Sequence, residues 1–360
     1  MSLLLDARTG RKPTGIGQYV LALARELSML DPERLVFAST RRHSADLVAA
    51  GARTVVVEDG EDLAAAFGSY RVRLVHGPNY HAPHIGNAVR VATIHDLGFI
   101  DFPETQPLGM SERLDRIIRQ TTRGTSMFLC DSQWTLERFQ HRYHVDAARC
   151  AVVHLGISER FAPQVRSPMS LGVRAHAIRR PYLLHVGAMI KRKDLGTLMR
   201  AFEIAARQHP DLNLVLVGNK TRRWASAWPE VRAWLRNHPR LRLRVRVLNY
   251  VPDRDMPALY SGAAVIVSTS LLEGFGLTIL EGLASGVPVV ATEGSAVSEV
   301  AGDHPFYGIA RDAESYANAI TRALDAPEAR RAAGVTHASQ YTWRATATRT
   351  LAVYDRVLSD

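Results

Sequence analysis

Cysteine is nearly missing from this 360-residue chain, which has only Cys130 and Cys150. So little thiol excludes a disulfide scaffold and a cysteine-rich metal module, and it fits a reducing cytoplasm. Lysine is also scarce. Lys12, Lys191, Lys193 and Lys220 are four of the 45 basic residues and the rest are arginine, the usage a GC-rich genome produces. No apolar run approaches the ~18 residues of a membrane span. Residues Met1 to Asp6 lack the basic flank and long apolar core of a secretory signal. A G-x-x-x-x-G-K-[ST] loop is absent, which argues against a P-loop ATPase. A G-x-S-x-G elbow is absent too, so a Ser/His/Asp hydrolase is unsupported.

What remains is ordinary for a globular protein, with 46% hydrophobic and 22% charged residues. The length suggests two domains. The net charge of +10 favours anionic partners without choosing among nucleic acid, anionic lipid and phosphorylated ligands.

Short apolar runs alternate with helical patterns, which predicts a parallel α/β sheet. The runs lie at Leu3–Leu5, Arg34–Ala38, Thr54–Val57, Val72–Val75, Val91–Ile94, Met127–Cys130 and Cys150–Val153. Helices are expected over Met110–Thr122 and Thr135–His141, and through Val20, Leu23, Ala24, Leu27 and Leu30. A polar stretch from Pro163 to Arg180 reads as a linker. Alternation restarts at Tyr182–Gly187 and continues at Leu212–Val217, Leu243–Leu248, Ala264–Ser268 and Val287–Ala291. A final helix carries Ala347, Leu351, Tyr354 and Leu358 on one stripe. The fold class is therefore α/β, with two doubly wound Rossmann-like domains.

Five constellations could carry chemistry. Gly15-Ile16-Gly17 lies between the first strand and first helix, where amides can approach an anion. Val20 stands where the dinucleotide fingerprint needs a third glycine, which weakens an NAD reading. Glu273-Gly274-Phe275-Gly276-Leu277 leads from a strand into a helix that carries Glu281. Such a turn offers free N–H groups to a phosphate, and either carboxylate can accept hydrogen bonds from a cis-diol. The bland alternative makes Glu273 a helix cap and Glu281 a solvated residue. Lys191-Arg192-Lys193 follows the first strand of the second domain, where cations could hold a diphosphate or merely face water. His95 ends a strand and could be a base, a hydrogen-bond donor or a satisfied buried histidine. His76, His81 and His84 share an irregular loop whose spacing does not suit a metal. Asp253-Arg254-Asp255 has D-x-D spacing, yet Pro257 follows and the pattern predicts an N-cap.

Together these motifs resemble the retaining GT-B glycosyltransferases of family 4, in particular bacterial polysaccharide mannosyltransferases. The most specific stretch is Tyr260 to Gly302. It holds Tyr260-x-x-Ala263-Ala264, the pair Glu273 and Glu281 separated by seven residues, Gly286-Val-Pro288, Gly294-Ser295 and Glu299-Val300-x-Gly302. Weaker matches run from Gly15 to Trp343. The resemblance implies an N-terminal acceptor-side domain over 1–165, a linker over 166–180 and a nucleotide-sugar domain over 181–340. It also implies two domains facing across a cleft and a helix over 341–360 crossing back onto the first domain.

The resemblance implies roles as well. Glu281 would hold the ribose, Glu273 the transferred sugar, and Phe275, Gly276 and Leu277 would offer amides. Lys193 would neutralise the diphosphate with help from Arg192, since Ala188 replaces an arginine common among relatives. Gly15 and Gly17 would approach the phosphates, and Gly218, Tyr250 and Val251 would line the base pocket. His95 would sit beside sugar and acceptor. Glu273, Lys193 and His95 are thus the candidate catalytic residues, with no metal or other cofactor required. The expected donor is a nucleotide-diphosphate sugar, GDP-mannose first. The expected acceptor is a saccharide or lipid-linked saccharide, reached from the cytoplasm at an anionic membrane face. No motif suggests nucleic acid. A transferase using ADP- or UDP-glucose and a non-catalytic sugar-nucleotide-binding homologue remain open.

Overall fold

The apolar runs form strands because a parallel sheet covered on both faces buries the side chains of its central strands. A computed structural model describes residues 2–8, 15–49, 51–58, 61–163, 177–219 and 226–359. Seven strands make the first sheet: β1 (Ser2–Asp6), β2 (Leu35–Ser39), β3 (Thr54–Val56), β4 (Val72–Gly77), β5 (Val89–Ile94), β6 (Met127–Cys130) and β7 (Cys150–Val152). They run parallel in the order β3-β2-β1-β4-β5-β6-β7. Six make the second: β8 (Tyr182–Val186), β9 (Asn213–Val217), β10 (Val245–Leu248), β11 (Val265–Val267), β12 (Val289–Thr292) and β13 (Phe306–Gly308). These too are parallel, in the order β10-β9-β8-β11-β12-β13. Both sheets are doubly wound, with strand order reversing beside β1 and beside β8. Such reversals open the crevice at the carboxyl ends of the strands where ligands bind.

Local chemistry sets the helix limits. The Gln133–Tyr143 helix starts where Ser132 Oγ accepts from the Thr135 amide at 3.1 Å, and stops at His144 in the left-handed region (φ 53°). Asp312 caps the Ala313–Leu324 helix through the amides of Glu314 and Ser315. That helix and Leu195–Gln208 cover the second sheet through Leu198, Phe202, Tyr316 and Ile320, all fully buried. Each such side chain contributes about 1.5–3 kcal/mol.

The compact units divide differently from the expected domains. The first comprises Met1–Asp101, Leu108–Gly156 and Tyr341–Asp360; the second comprises Phe102–Pro107 and Ile157–Gln340. The first unit ends before residue 165 because Phe161 packs edge-on against Tyr260, with centroids 5.0 Å apart. Gly156 is its last fitting residue, since an added Cβ would lie 2.1 Å from the Trp343 nitrogen. Glu104 joins the second unit through Arg311 at 3.2 Å. Most of the expected linker, 166–176, lies outside the described residues, as do 9–14 between β1 and the first helix.

The Trp343–Ser359 helix packs on Gly15–Leu30 within the first unit. Its buried side is Thr346, Ala347, Thr350, Val353 and Tyr354. Leu351 and Leu358 of the expected stripe are only half-buried, because the face turns towards Val353. No helix among the described residues is long and apolar enough to cross a membrane.

Candidate functional site

In the second unit the reversal beside β8 brings the loop after β8 next to the loop after β11. The first loop begins at Gly187, whose carbonyl oxygen would lie 2.0 Å from a Cβ on Gly218, the residue after β9. Only glycine at 218 lets these backbones approach so closely. A single turn, Lys191–Lys193, then leads into Asp194, which caps the Leu195–Gln208 helix. The loop after β11 carries Glu273. Lys193 Nζ donates to Glu273 Oε1 at 2.5 Å, and an Arg192 nitrogen lies 3.8 Å from Oε2. Arg192 is itself braced by a hydrogen bond to the Leu272 carbonyl. Burial alone would raise the Glu273 carboxyl, but Lys193 and Arg192 prevail and hold it down at about 2. Glu273 is therefore an ion-paired carboxylate and not a helix cap.

That cap is Gly276, at φ 97° in the left-handed region, followed by the Leu277–Ala284 helix. The Gly276 and Leu277 amides meet no acceptor among the described residues, as the first N–H groups of a helix do not. An anion placed there would meet them with the positive end of the helix behind. One turn into the helix, Glu281 is buried and accepts from the Tyr260 hydroxyl at 2.7 Å through Oε2. It is not a solvated helix residue. Burial pushes its carboxyl up to about 7, against the hydrogen bond from Tyr260 and the charge of Arg160. His185, at the end of β8, donates Nδ1–H to the Val267 carbonyl at 3.0 Å. Burial, then Lys193, pushes it down to about 4, so it is neutral.

The remaining expected residues of this unit fall around the same sheet edge. Phe275 is buried. Tyr250, just after β10, is 66% exposed, whereas Val251 is buried, so of the two Tyr250 is the one with an open ring. Asp255 stands at the N-cap of Met256–Gly262 but makes no side-chain capping bond, contrary to the predicted cap; Pro257 starts that helix without needing one.

In the first unit, Gly15 and Gly17 lie inside the first turn of the Gly15–Leu30 helix and not in a loop before it; Gly17 is buried. His95 follows β5. Its Nδ1 lies 2.7 Å from Asp131 Oδ2 and its Nε2 2.8 Å from the Pro78 carbonyl. With Asp131 ionised both partners are acceptors, an arrangement that favours the doubly protonated ring. Burial lowers its basicity, but the Asp131 charge and hydrogen bond reverse this and the net shift is upward. A base needs an open lone pair, and both His95 nitrogens are engaged within the first unit. Tyr19 and Tyr80 stand edge-on to its ring, at 5.1 and 5.9 Å between centroids. His76 joins Tyr354 at 2.6 Å through Nδ1 and Thr93 at 2.7 Å through Nε2. No metal-type cluster occurs among the described residues.

Sequence reading missed three members of these clusters. Tyr260 was quoted in a motif without a role, and its signal was a polar-tipped aromatic on an otherwise apolar helix. Asp131 and His185 gave only a charged residue and a histidine at the ends of apolar strands.

Chemically, the second unit's cluster suits a ligand with a diphosphate for Lys193, Arg192 and the helix amides, and hydroxyls for two carboxylates. A family model described as glycosyl transferases group 1 matches residues 173–337, and one described as glycosyltransferase family 4 matches 13–161. The chain is 27% identical over 297 residues to an O-antigen chain mannosyltransferase B of Escherichia coli, covering 80% of this chain and 76% of that protein. It is 25% identical over 294 residues to a D-inositol 3-phosphate glycosyltransferase of Corynebacterium glutamicum, covering 79% and 68%. Among solved structures it resembles Anabaena HepE in complex with UDP-glucose, with a TM-score of 0.81 at 17% identity over 99% of this chain and all of the other. That likeness shows the two-domain GT-B fold.

Proposed function

We propose that this chain, which belongs to the family 4 glycosyltransferases, transfers mannose from GDP-mannose to a saccharide or lipid-linked saccharide, retaining the anomeric configuration, in surface polysaccharide synthesis. The Lys193–Glu273 pair beside the open amides of Gly276 and Leu277 carries this reading. The likeness to a mannosyltransferase supports mannose as the sugar.

Cleavage of the anomeric C–O bond leaves an electron pair, and so negative charge, on the departing diphosphate. Lys193, Arg192 and the helix amides are fixed in place to receive it. Glu273 accepts hydroxyls of the sugar as oxocarbenium character develops, and Glu281 accepts those of the ribose. Committed to ribose, Glu281 is unavailable as the second carboxylate of a double displacement. The acceptor hydroxyl therefore attacks the face the phosphate leaves, and a phosphate oxygen takes its proton. Both His95 ring nitrogens are engaged by Asp131 and Pro78, so His95 serves the acceptor-side domain as a positioning residue and not as a donor to the sugar. Two side-chain cations and a helix end supply the positive charge, so turnover needs no metal. Activity lost in chelator and regained with magnesium would overturn that.

The test is a thermal-shift panel of GDP, UDP, ADP and NAD on wild type and Lys193→Ala. Ligand at a hundredfold over its dissociation constant adds ~2.7 kcal/mol, enough for a shift of a few degrees. A GDP-selective shift that vanishes in the variant supports the reading. A UDP-selective shift keeps the transferase and moves the donor towards the UDP-glucose seen in HepE. A shift with NAD alone would overturn it.

Membrane contact belongs to the same proposal, and we assign it to the Met110–Thr122 helix. Arg113 and Arg116 are exposed on that helix, Arg123 follows it, and Leu108 just before it is fully exposed. Cations beside a protruding apolar side chain suit the anionic cytoplasmic leaflet. Sedimentation with vesicles that shows no preference for anionic lipid would remove this part.

A further inference from the structure

Tyr260 touches the Glu281 carboxylate from a position no ligand reaches. Its ring is fully buried at the end of β11's approach, on the Met256–Gly262 helix, and Phe161 fixes it edge-on at 5.0 Å. Its hydroxyl donates to Glu281 Oε2 at 2.7 Å. Glu281 Oε1 is left without a hydrogen bond among the described residues.

We propose that Tyr260 is a positioning residue of the nucleotide site: its buried hydroxyl clamps one oxygen of Glu281 so that the other meets the ribose diol of a nucleoside diphosphate. The inference rests on the ribose role proposed for Glu281. Unclamped, a glutamate samples several rotamers, and ordering it on binding weakens affinity; the clamp does this in advance.

The clamp also governs ionisation. A diol donates its hydrogen bonds to a carboxylate, so binding needs Glu281 ionised. Three groups bear on it electrostatically: Tyr260 and Arg160 favour the ionised form, and Asp253 opposes it. Burial leaves the carboxyl at about 7, so nucleotide affinity falls as pH drops through neutrality. Removing the Tyr260 O–H raises the carboxyl further and moves that fall to higher pH.

The experiment measures dissociation constants of GDP, UDP and ADP and their 2′,3′-dideoxy forms by calorimetry from pH 6 to 9. It uses wild type, Tyr260→Phe and Phe161→Leu. Loss of a hydrogen bond to a charged group predicts that Tyr260→Phe moves the affinity midpoint up by about one pH unit. Near pH 7.5 the tightest nucleotide then binds roughly three- to tenfold more weakly, and preference over the dideoxy form shrinks. Phe161→Leu loosens the same packing but keeps the O–H. It should lower the melting temperature and leave the midpoint in place. An unchanged midpoint in a folded Tyr260→Phe overturns the proposal, as does an equal shift in both variants, which would make Tyr260 mere packing. If wild type fails to distinguish nucleotide from dideoxynucleotide, the ribose role of Glu281 falls and the clamp with it.

Discussion

His95 shows how a single side chain's chemistry depends on a partner far along the chain. The ring reads in sequence as a base, a donor or a core residue, and Asp131, 36 positions later, decides. Because the folded imidazole is more basic than the unfolded one, the pair's stabilisation is complete below about pH 6.5. It is lost as pH rises through the higher folded value. Asp131→Asn leaves His95 buried without a counter-charge. We expect a loss of about 2–4 kcal/mol at pH 6 in urea unfolding. The decline in stability expected of wild type between pH 6 and 9 should flatten in the variant. Equal stability of the two proteins at pH 6 would show that His95 is neutral.

Elements rather than residues explain what could be read beforehand. Runs such as Met127–Cys130 and Tyr182–Val186 announce themselves because a strand buried on both faces tolerates little but apolar side chains. β13, with half-buried Phe306 and Tyr307, gives no such run and went unread. The spacing of Glu273 and Glu281 was visible because one turn and helix carry both. The Lys193–Glu273 contact spans 80 residues and depends on β8 and β11 being neighbours, which strand order decides. The same sheet edge makes Gly218 exacting. A methyl group there meets the Gly187 carbonyl, backbone against backbone, so the two loops must part. Gly218→Ala should cost about 1–3 kcal/mol of stability by overpacking. It should also weaken nucleotide binding at least as much as Lys193→Ala, measured by calorimetry. Wild-type affinity in the variant would show that the loop positions are not coupled to the site.

On the scale of the whole molecule, the chain closes its first unit with its own C-terminal helix. Tyr354 reaches His76 across 278 residues of sequence, and Asp355 meets Arg34 at 2.7 Å. Tyr354→Phe leaves a buried ring nitrogen unpartnered, which should cost about 1–3 kcal/mol in urea unfolding. Nucleotide binding by the second unit should be unaffected. A neutral substitution would mean that His76 finds another partner. The second unit meanwhile rests with Lys193, the cation proposed for the diphosphate, already engaged by its own carboxylate, Glu273. A bare diphosphate must compete with that internal tenant. A sugar nucleotide instead brings hydroxyls for the carboxylate as well as phosphates for the lysine, and satisfies both halves at once. Under the proposed function the resting site would discriminate before any chemistry begins, and the spent nucleotide, stripped of its sugar, would be displaced as the pair re-forms.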